Sequence, residues 1–363
     1  MNQQKYLIAL SHFPKFGPTR LKKIKKHFPS WENAFHASAT GLMQAGIDYN
    51  LAQEFTAARQ NINPEQILEQ LDQENIKVIT IEDNNYPKLL AEIYDPPQLL
   101  YYKGKLENQD EFALAVVGTR KYTNYGKQAT EQIVKDLARN NLTIVSGLAL
   151  GIDALAHQAT LEVNGRTVAV LGSGLDKQNV YPSANRYLAD KIIASDGAII
   201  SEFPLGTPPL KHHFPQRNRL ISGLSLGSLI IEAGEKSGAL ITARHSLEQN
   251  REVFALPGSI YSPTSIGPNQ LIKMGAKVVT KATDIMETLD LVQVKEFISN
   301  KKIIPESAEE ERVLEHLAHE PIHVNELIRL TKLSTDIINS TLTLMEMKGM
   351  IRNLGNMQYV LAR

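Results

Sequence analysis

At 363 residues, 42% hydrophobic and 21% charged, the chain is long enough for two or three domains and has an ordinary soluble-globular composition. Its formal net charge is zero, so any nucleic-acid role must rest on a local basic patch rather than a basic chain. It has no cysteine, which excludes disulfides, thiolate zinc sites and thiol nucleophiles. No run of about 18 apolar residues marks a membrane span, and the start MNQQKYLIALSHF lacks a signal pattern, so a cytoplasmic protein is expected.

Residues 1–75 read as a helical domain with two glycine turns, Phe16-Gly17-Pro18-Thr19-Arg20 and Ala45-Gly46-Ile47-Asp48. Helix-hairpin-helix DNA modules share this pattern, but so do plain helical bundles. Lys22, Lys23, Lys25 and Lys26 form a run that is ordinarily a solvated helix face. A short strand, KVITI (77–81), follows. Prolines 87, 96 and 97 then argue against regular helix and for an extended lead-in.

From about 112 to 290 the chain alternates short apolar runs with helical stretches such as 126–139 and 152–163. The runs 112–117, 142–145, 167–171, 198–201, 228–232 and 252–256 lack alternation, as strands buried on both faces do; AKVVT (276–280) extends the series. This rhythm predicts an α/β fold, a Rossmann-like doubly wound sheet, within a domain of residues 76–290. Residues 291–305 read as a linker, and 306–363 as a winged-helix-like domain of three helices and a hairpin. Its third helix carries Asp336 and Glu346 and few basic residues, a poor major-groove reader.

Ligands of an open parallel sheet gather outside the carboxyl ends of its strands, where helix N-termini and free N–H groups attract phosphate. In Val117-Gly118-Thr119-Arg120, glycine permits close backbone approach, the Thr119 hydroxyl can donate, and Arg120 can bond bidentately. Neither a Walker A loop nor a dinucleotide fingerprint is present. Ser146-Gly147-Leu148-Ala149-Leu150-Gly151-Ile152-Asp153 opens a helix with Asp153 in its first turn, and His157 lies one turn on. A structural hydrogen bond between them is the simpler reading, since no nucleophile is in view. Lys211-His212-His213-Phe214-Pro215-Gln216-Arg217-Asn218-Arg219 sets three fixed cations beside an aromatic ring, a combination suited to single-stranded nucleic acid. The histidine pair lacks further ligands at metal spacing, and Arg219 has Glu202 or Glu232 as a structural partner. Ser237-Gly238, opening a helix beside Glu232, forms another expected anion cradle; Glu232 would hold an arginine or a sugar hydroxyl.

In this order, YPKLL, DPPQLLYYKG, VVGTRKYTNYG, VSGLALGIDALAH, ISEFPLG, PLKHHFPQRNRLISGLS, EAGEKSGALITARHSLEQ and FALPG resemble the DNA-processing protein A (DprA/Smf) family. The resemblance covers roughly residues 77 to 280, and less diagnostically the flanking domains, the first of them SAM-like. It implies a protein without catalysis, cofactor or metal. Such a protein binds single-stranded DNA on an extended Rossmann domain, protects incoming strands in natural transformation and promotes RecA loading. By residue match, Arg120, Lys211 and Phe214 contact DNA, bordered by Gly118, Thr119, Ser146 and Gly147. Arg217, Asn218, Ser237 and Gly238 complete the candidate site. The resemblance also implies a homodimer through the Rossmann domain, near Gly267-Pro268-Asn269-Gln270-Leu271-Ile272. One departure is the loop after Asp176, where Ser183 replaces a family lysine and Lys177 is a candidate substitute. The runner-up reading is a nucleotide or nucleoside-phosphate hydrolase with Glu232 or Asp153 as base. A third makes the chain a duplex-binding regulator through its terminal domain.

Overall fold

The computed structural model describes residues 4–290, 307–317, 322–347, 351–353, 355 and 357–361. The chain divides into two compact units, Met1–Ile285 and Met286–Arg363.

The first unit opens with six helices: α1 (Gln4–Ser11), α2 (Pro18–His27), α3 (Trp31–His36), α4 (Ala39–Gln44), α5 (Tyr49–Ala58) and α6 (Pro64–Gln73). Four of these starts are written locally. Ser30, Ser38, Asp48 and Asn63 each accept a backbone N–H at the head of α3, α4, α5 and α6, satisfying donors that a helix start leaves open. Their apolar faces converge on Phe55, which is fully buried and ringed by Phe13, Phe16 and Phe35. This core is continuous with one face of the sheet through Tyr101, Leu171, Leu188 and Ile199.

β1 (Lys77–Thr80) and β2 (Leu99–Gly104) lead into the sheet. Between them the prolines do not exclude helix altogether: α7 (Lys88–Ala91) is a single turn starting directly after Pro87, where a proline costs no intrahelical bond. Then β3 (Ala113–Val117), α8 (Asn124–Arg139), β4 (Thr143–Ser146), α9 (Ile152–Leu161), β5 (Thr167–Val170), α10 (Arg186–Ala194) and β6 (Ala198–Ser201) alternate. They are followed by α11 (His213–Gly223), β7 (Gly227–Ile230), α12 (Ala239–Glu248), β8 (Glu252–Ala255), α13 (Ile266–Lys273), β9 (Lys277–Val278) and α14 (Ala282–Thr288).

The nine strands run in the order β1-β2-β6-β5-β4-β3-β7-β8-β9. All neighbours from β6 to β9 are parallel, while β2 is antiparallel to both β1 and β6. Every residue of β3, β4, β5, β6 and β7 is buried, which explains their unbroken apolar runs. β9 is shorter than the expected 276–280, because only Lys277 and Val278 find partners on β8. β3 lies between β4 and β7, so the strand order reverses there and leaves a crevice at the carboxyl ends of β3 and β7.

The second unit holds α15 (Ala308–Leu314), β10 (Ile322–His323), α16 (Val324–Thr331), α17 (Thr335–Met347), β11 (Ile351–Asn353) and β12 (Gln358–Leu361). A three-stranded antiparallel sheet, β10-β12-β11, packs with the helices around Val313, Leu327, Ile338, Leu342 and Met345. This is the winged-helix pattern expected from the sequence. The expected linker, 291–305, lies outside the described residues.

Candidate nucleic-acid interface

The crevice at the strand-order reversal opens into a groove of about 830 Å³. Its banks are the β3 loop (Gly118, Thr119, Arg120), the start of α11 (Lys211, Phe214, Pro215) and the β7 loop (Lys236, Ser237, Gly238), with Tyr181 from the β5 loop. Arg120, Lys211 and Lys236 are exposed, and none of them pairs with a carboxylate among the described residues. Phe214 is half-buried against Gly172, and its ring lies 5.7 Å from Tyr181, tilted by 41°. Unpaired cations beside accessible aromatic faces are the chemistry that holds a phosphodiester chain with unstacked bases.

Beneath this surface a buried network fixes the loops. Arg217 is 4% exposed. Its guanidinium donates to the carbonyls of Gly147, at 2.8 Å, and Val170, and its Nε to Asn218 Oδ1 at 3.2 Å. Burial lowers its pKa to about 10, Asp153 opposes that shift, and the neighbouring charge of Arg120 adds to it. Burial pushes the Asp153 carboxyl up, while Arg217 and the backbone N–H groups of Ala149, Gly147 and Gly118 pull it down. Gly147 has no room for a Cβ, which would stand 2.7 Å from both Arg217 Nη2 and Asp153 Oδ2. Gly151, at φ +93°, is equally constrained, since a Cβ would meet the Thr119 carbonyl at 2.2 Å.

Several expectations change here. Arg217, which lines the groove, also braces the loops: its Nη1 donates to two backbone carbonyls and its Nε to Asn218. Ser146 is fully buried, its hydroxyl donating to Val116 O at 2.6 Å, and Gly147 N–H is held by Asp153, so neither presents a donor to the groove. Asn218 ties α11 to the β7 loop by donating to Gly238 O at 3.2 Å. Lys177 is exposed but stands outside the groove lining, as does Ser183; Asp176 anchors their loop to Gly206 N–H and Asn179.

His157 does not bond Asp153. Its Nδ1 meets Thr167 Oγ1 at 2.7 Å, and burial lowers its pKa to about 3. Glu232 holds neither arginine nor an open face for a sugar. It is 2% exposed and accepts from Thr123 N (2.8 Å), Thr123 Oγ1 (2.7 Å) and Thr264 Oγ1 (2.9 Å). Arg219 bridges Glu202 and Asp95, the structural role expected of it.

The helix starts are also less open than the sequence suggests. The N–H groups of Ser237, Ala239, Leu240 and Ile241 find acceptors within their own turn, and Ile152 N–H donates to Thr119 O. Thr119 places its hydroxyl against Lys121, at 3.2 Å from the amide. Positive charge in the groove therefore comes chiefly from side chains. Tyr181 and Lys236, absent from the expected set, complete it; a Tyr-Pro pair in a loop and a lysine in a glycine-rich turn were the available signals. Among the described residues no group of metal-binding side chains gathers, and no helix is long and apolar enough to cross a membrane.

Known proteins share this sequence pattern and fold. The profile of the DNA recombination-mediator protein A family matches residues 77–290, and that of the DprA winged helix domain matches 300–357. Protein Smf of Synechocystis sp. is 41% identical over 309 residues, covering 84% of this chain and 77% of its own length. The structure of DNA processing protein A from Streptococcus pneumoniae, 36% identical, superposes with a TM-score of 0.66 over 78% of this chain and 97% of that one. DNA processing protein A from Helicobacter pylori, whose structure addresses its single-stranded DNA binding mode, is 33% identical with a TM-score of 0.52, over 59% of this chain and 95% of that one. With its profile, its relatives and its fold in agreement, the chain belongs to the DNA recombination-mediator protein A family.

Proposed function

We propose that the groove holds single-stranded DNA, and that the protein is a cytoplasmic recombination mediator that shields incoming strands in transformation and passes them to the recombinase RecA. The observation that carries the reading is the unpaired Arg120, Lys211 and Lys236 around the Phe214–Tyr181 aromatic pair. Arg120, Lys211, Lys236 and the accessible edge of Gly118-Thr119 meet phosphates; Phe214 and Tyr181 stack on bases. Ser237 and Gly238 border the strand, while Arg217, Asn218, Ser146 and Gly147 set the shape of the loops. The H. pylori relative's single-stranded DNA binding supports the same reading. No catalytic step is assigned, since both candidate bases are engaged: Asp153 by Arg217 and backbone amides, Glu232 by two threonines.

The active species in this reading is a dimer. Gly267 and Pro268 are buried within their own unit, so the surface on offer is the surrounding Ile260, Tyr261, Ile266 and Met274, exposed by 79%, 90%, 45% and 71%. Exposed apolar side chains on and beside α13 are the association surface in this reading. Affinity for single-stranded and duplex DNA of equal length, measured at physiological salt, tests the function. A clear preference for the single strand is expected; equal or reversed affinity overturns the reading.

A further inference from the structure

A second groove of the first unit, also about 830 Å³, plays no part in the site above. It lies between the turn joining α1 to α2 and the loop after β6. Residues 208–216 form the wall that separates the two grooves. Lys211, Phe214 and Pro215 line the first, and Leu210, His212 and Gln216 line the second. On the helical bank stand Lys15, Gly17 and Arg20. Two carboxylates, Asp95 and Glu202, also line this groove and share the single charge of Arg219, which leaves one negative charge that Arg20, in the same lining, offsets.

From Arg20 the bank continues into the basic face of α2. Lys23 follows one turn along the same ridge, and Lys22 and Lys26 lie one turn apart on the next. All four are exposed, and among the described residues none pairs with a carboxylate, whereas Lys15 and Lys25 are paired with Glu54 and Glu82. Like charges at this spacing destabilise a helix. In a chain of zero net charge, their uncompensated grouping beside a groove points to an anionic partner.

We propose that a single strand longer than the first groove crosses the 208–216 wall and runs through the second groove to α2, where Arg20, Lys22, Lys23 and Lys26 hold its phosphates. The inference rests on the first groove being a single-strand site, and it assigns the helical bundle a direct share in binding.

Two labelled oligothymidylates test it on the full chain: one of about six nucleotides, confined to the first groove, and one of about 20, long enough to leave it. The variant with Arg20, Lys22, Lys23 and Lys26 all replaced by Ala binds the short strand as the wild type does. It binds the long one about tenfold more weakly at low salt, with a log–log salt slope reduced by roughly 1.4 to 2.8, as for two to four lost phosphate contacts. Replacing the three lysines by Arg instead preserves long-strand binding, which separates charge from folding. Unchanged affinity of the alanine variant for the long strand, or an equal loss on both strands, overturns the proposal. Arg120→Ala distinguishes the two readings. If it leaves short-strand binding intact, the first-groove assignment fails. If it weakens short-strand binding while the α2 variant holds the long strand normally, only the extension fails.

Discussion

Arg120 and Arg217 both line the groove and carry the same charge, and their surroundings differ. Arg217 is buried, with Nη1 on two backbone carbonyls and Nε on Asn218; Arg120 is exposed and pairs with no carboxylate among the described residues. Arg120→Ala and Lys211→Ala should therefore each flatten the salt dependence of single-strand binding, by roughly 0.7 in log–log slope. Phe214→Ala should cost about 1–3 kcal/mol of binding with little change in that slope, because stacking releases no counterion. Titration by fluorescence anisotropy over a salt series reads both quantities. His157 yields a prediction of another kind. It is neutral when buried, with its folded pKa near 3 against an ordinary 6.5, so its contribution is intact above about pH 6.5 and is lost as pH falls toward 3. Between pH 7 and pH 4 this site should weaken folding by at most roughly 3 kcal/mol, and denaturant midpoints of His157→Asn should show a smaller acid loss than the wild type.

At the scale of elements, the sheet was legible because strands buried on both faces must be apolar throughout, and β3 to β8 fall within about two residues of the expected runs. The candidate site was legible largely as a set of segments: Gly118, Thr119, Arg217, Asn218, Ser237 and Gly238 all line the groove. Arg120, Lys211 and Phe214 line the groove as the sequence suggests. Ser146 and Glu232 turn inward, to Val116 O and to Thr123 and Thr264, because a polar letter at a strand end does not reveal whether its partner is a ligand or a group brought near by the fold. Lys177 stands outside the groove lining, since the folding of its loop around Asp176, and not its charge, decides where it stands. The clamp on Glu232 makes a sharp test of this layer. A Cβ at Gly126 would lie 2.2 Å from Glu232 Oε2, so Gly126→Ala should displace the carboxylate from Thr123 and lower stability by about 1–3 kcal/mol in chemical denaturation. Single-strand affinity should fall with it, although Gly126 is buried at the head of α8.

For the whole molecule, the two compact units make separable demands. α17, with Asp336 at its start and no basic residue in its last turn, is ill suited to duplex phosphates. Deleting residues 300–363 should leave single-strand affinity intact; loss of binding would move the DNA site to the winged helix. On the proposed pairing, Met274→Glu should shift the protein toward monomer in sedimentation, since a charge on an exposed apolar surface opposes its burial. One contact determines how such variants must be chosen. Glu232 grips Thr123, in the loop that carries Arg120, and Thr264, which leads into α13. A lesion at Thr264 thus reaches both segments, and on the proposed function a genetic screen would score it as defective in pairing and in strand capture at once. Alleles that divide the two phenotypes belong at side chains facing solvent, Met274 on one side and Lys211 on the other. The buried carboxylate between them is where the two phenotypes become inseparable.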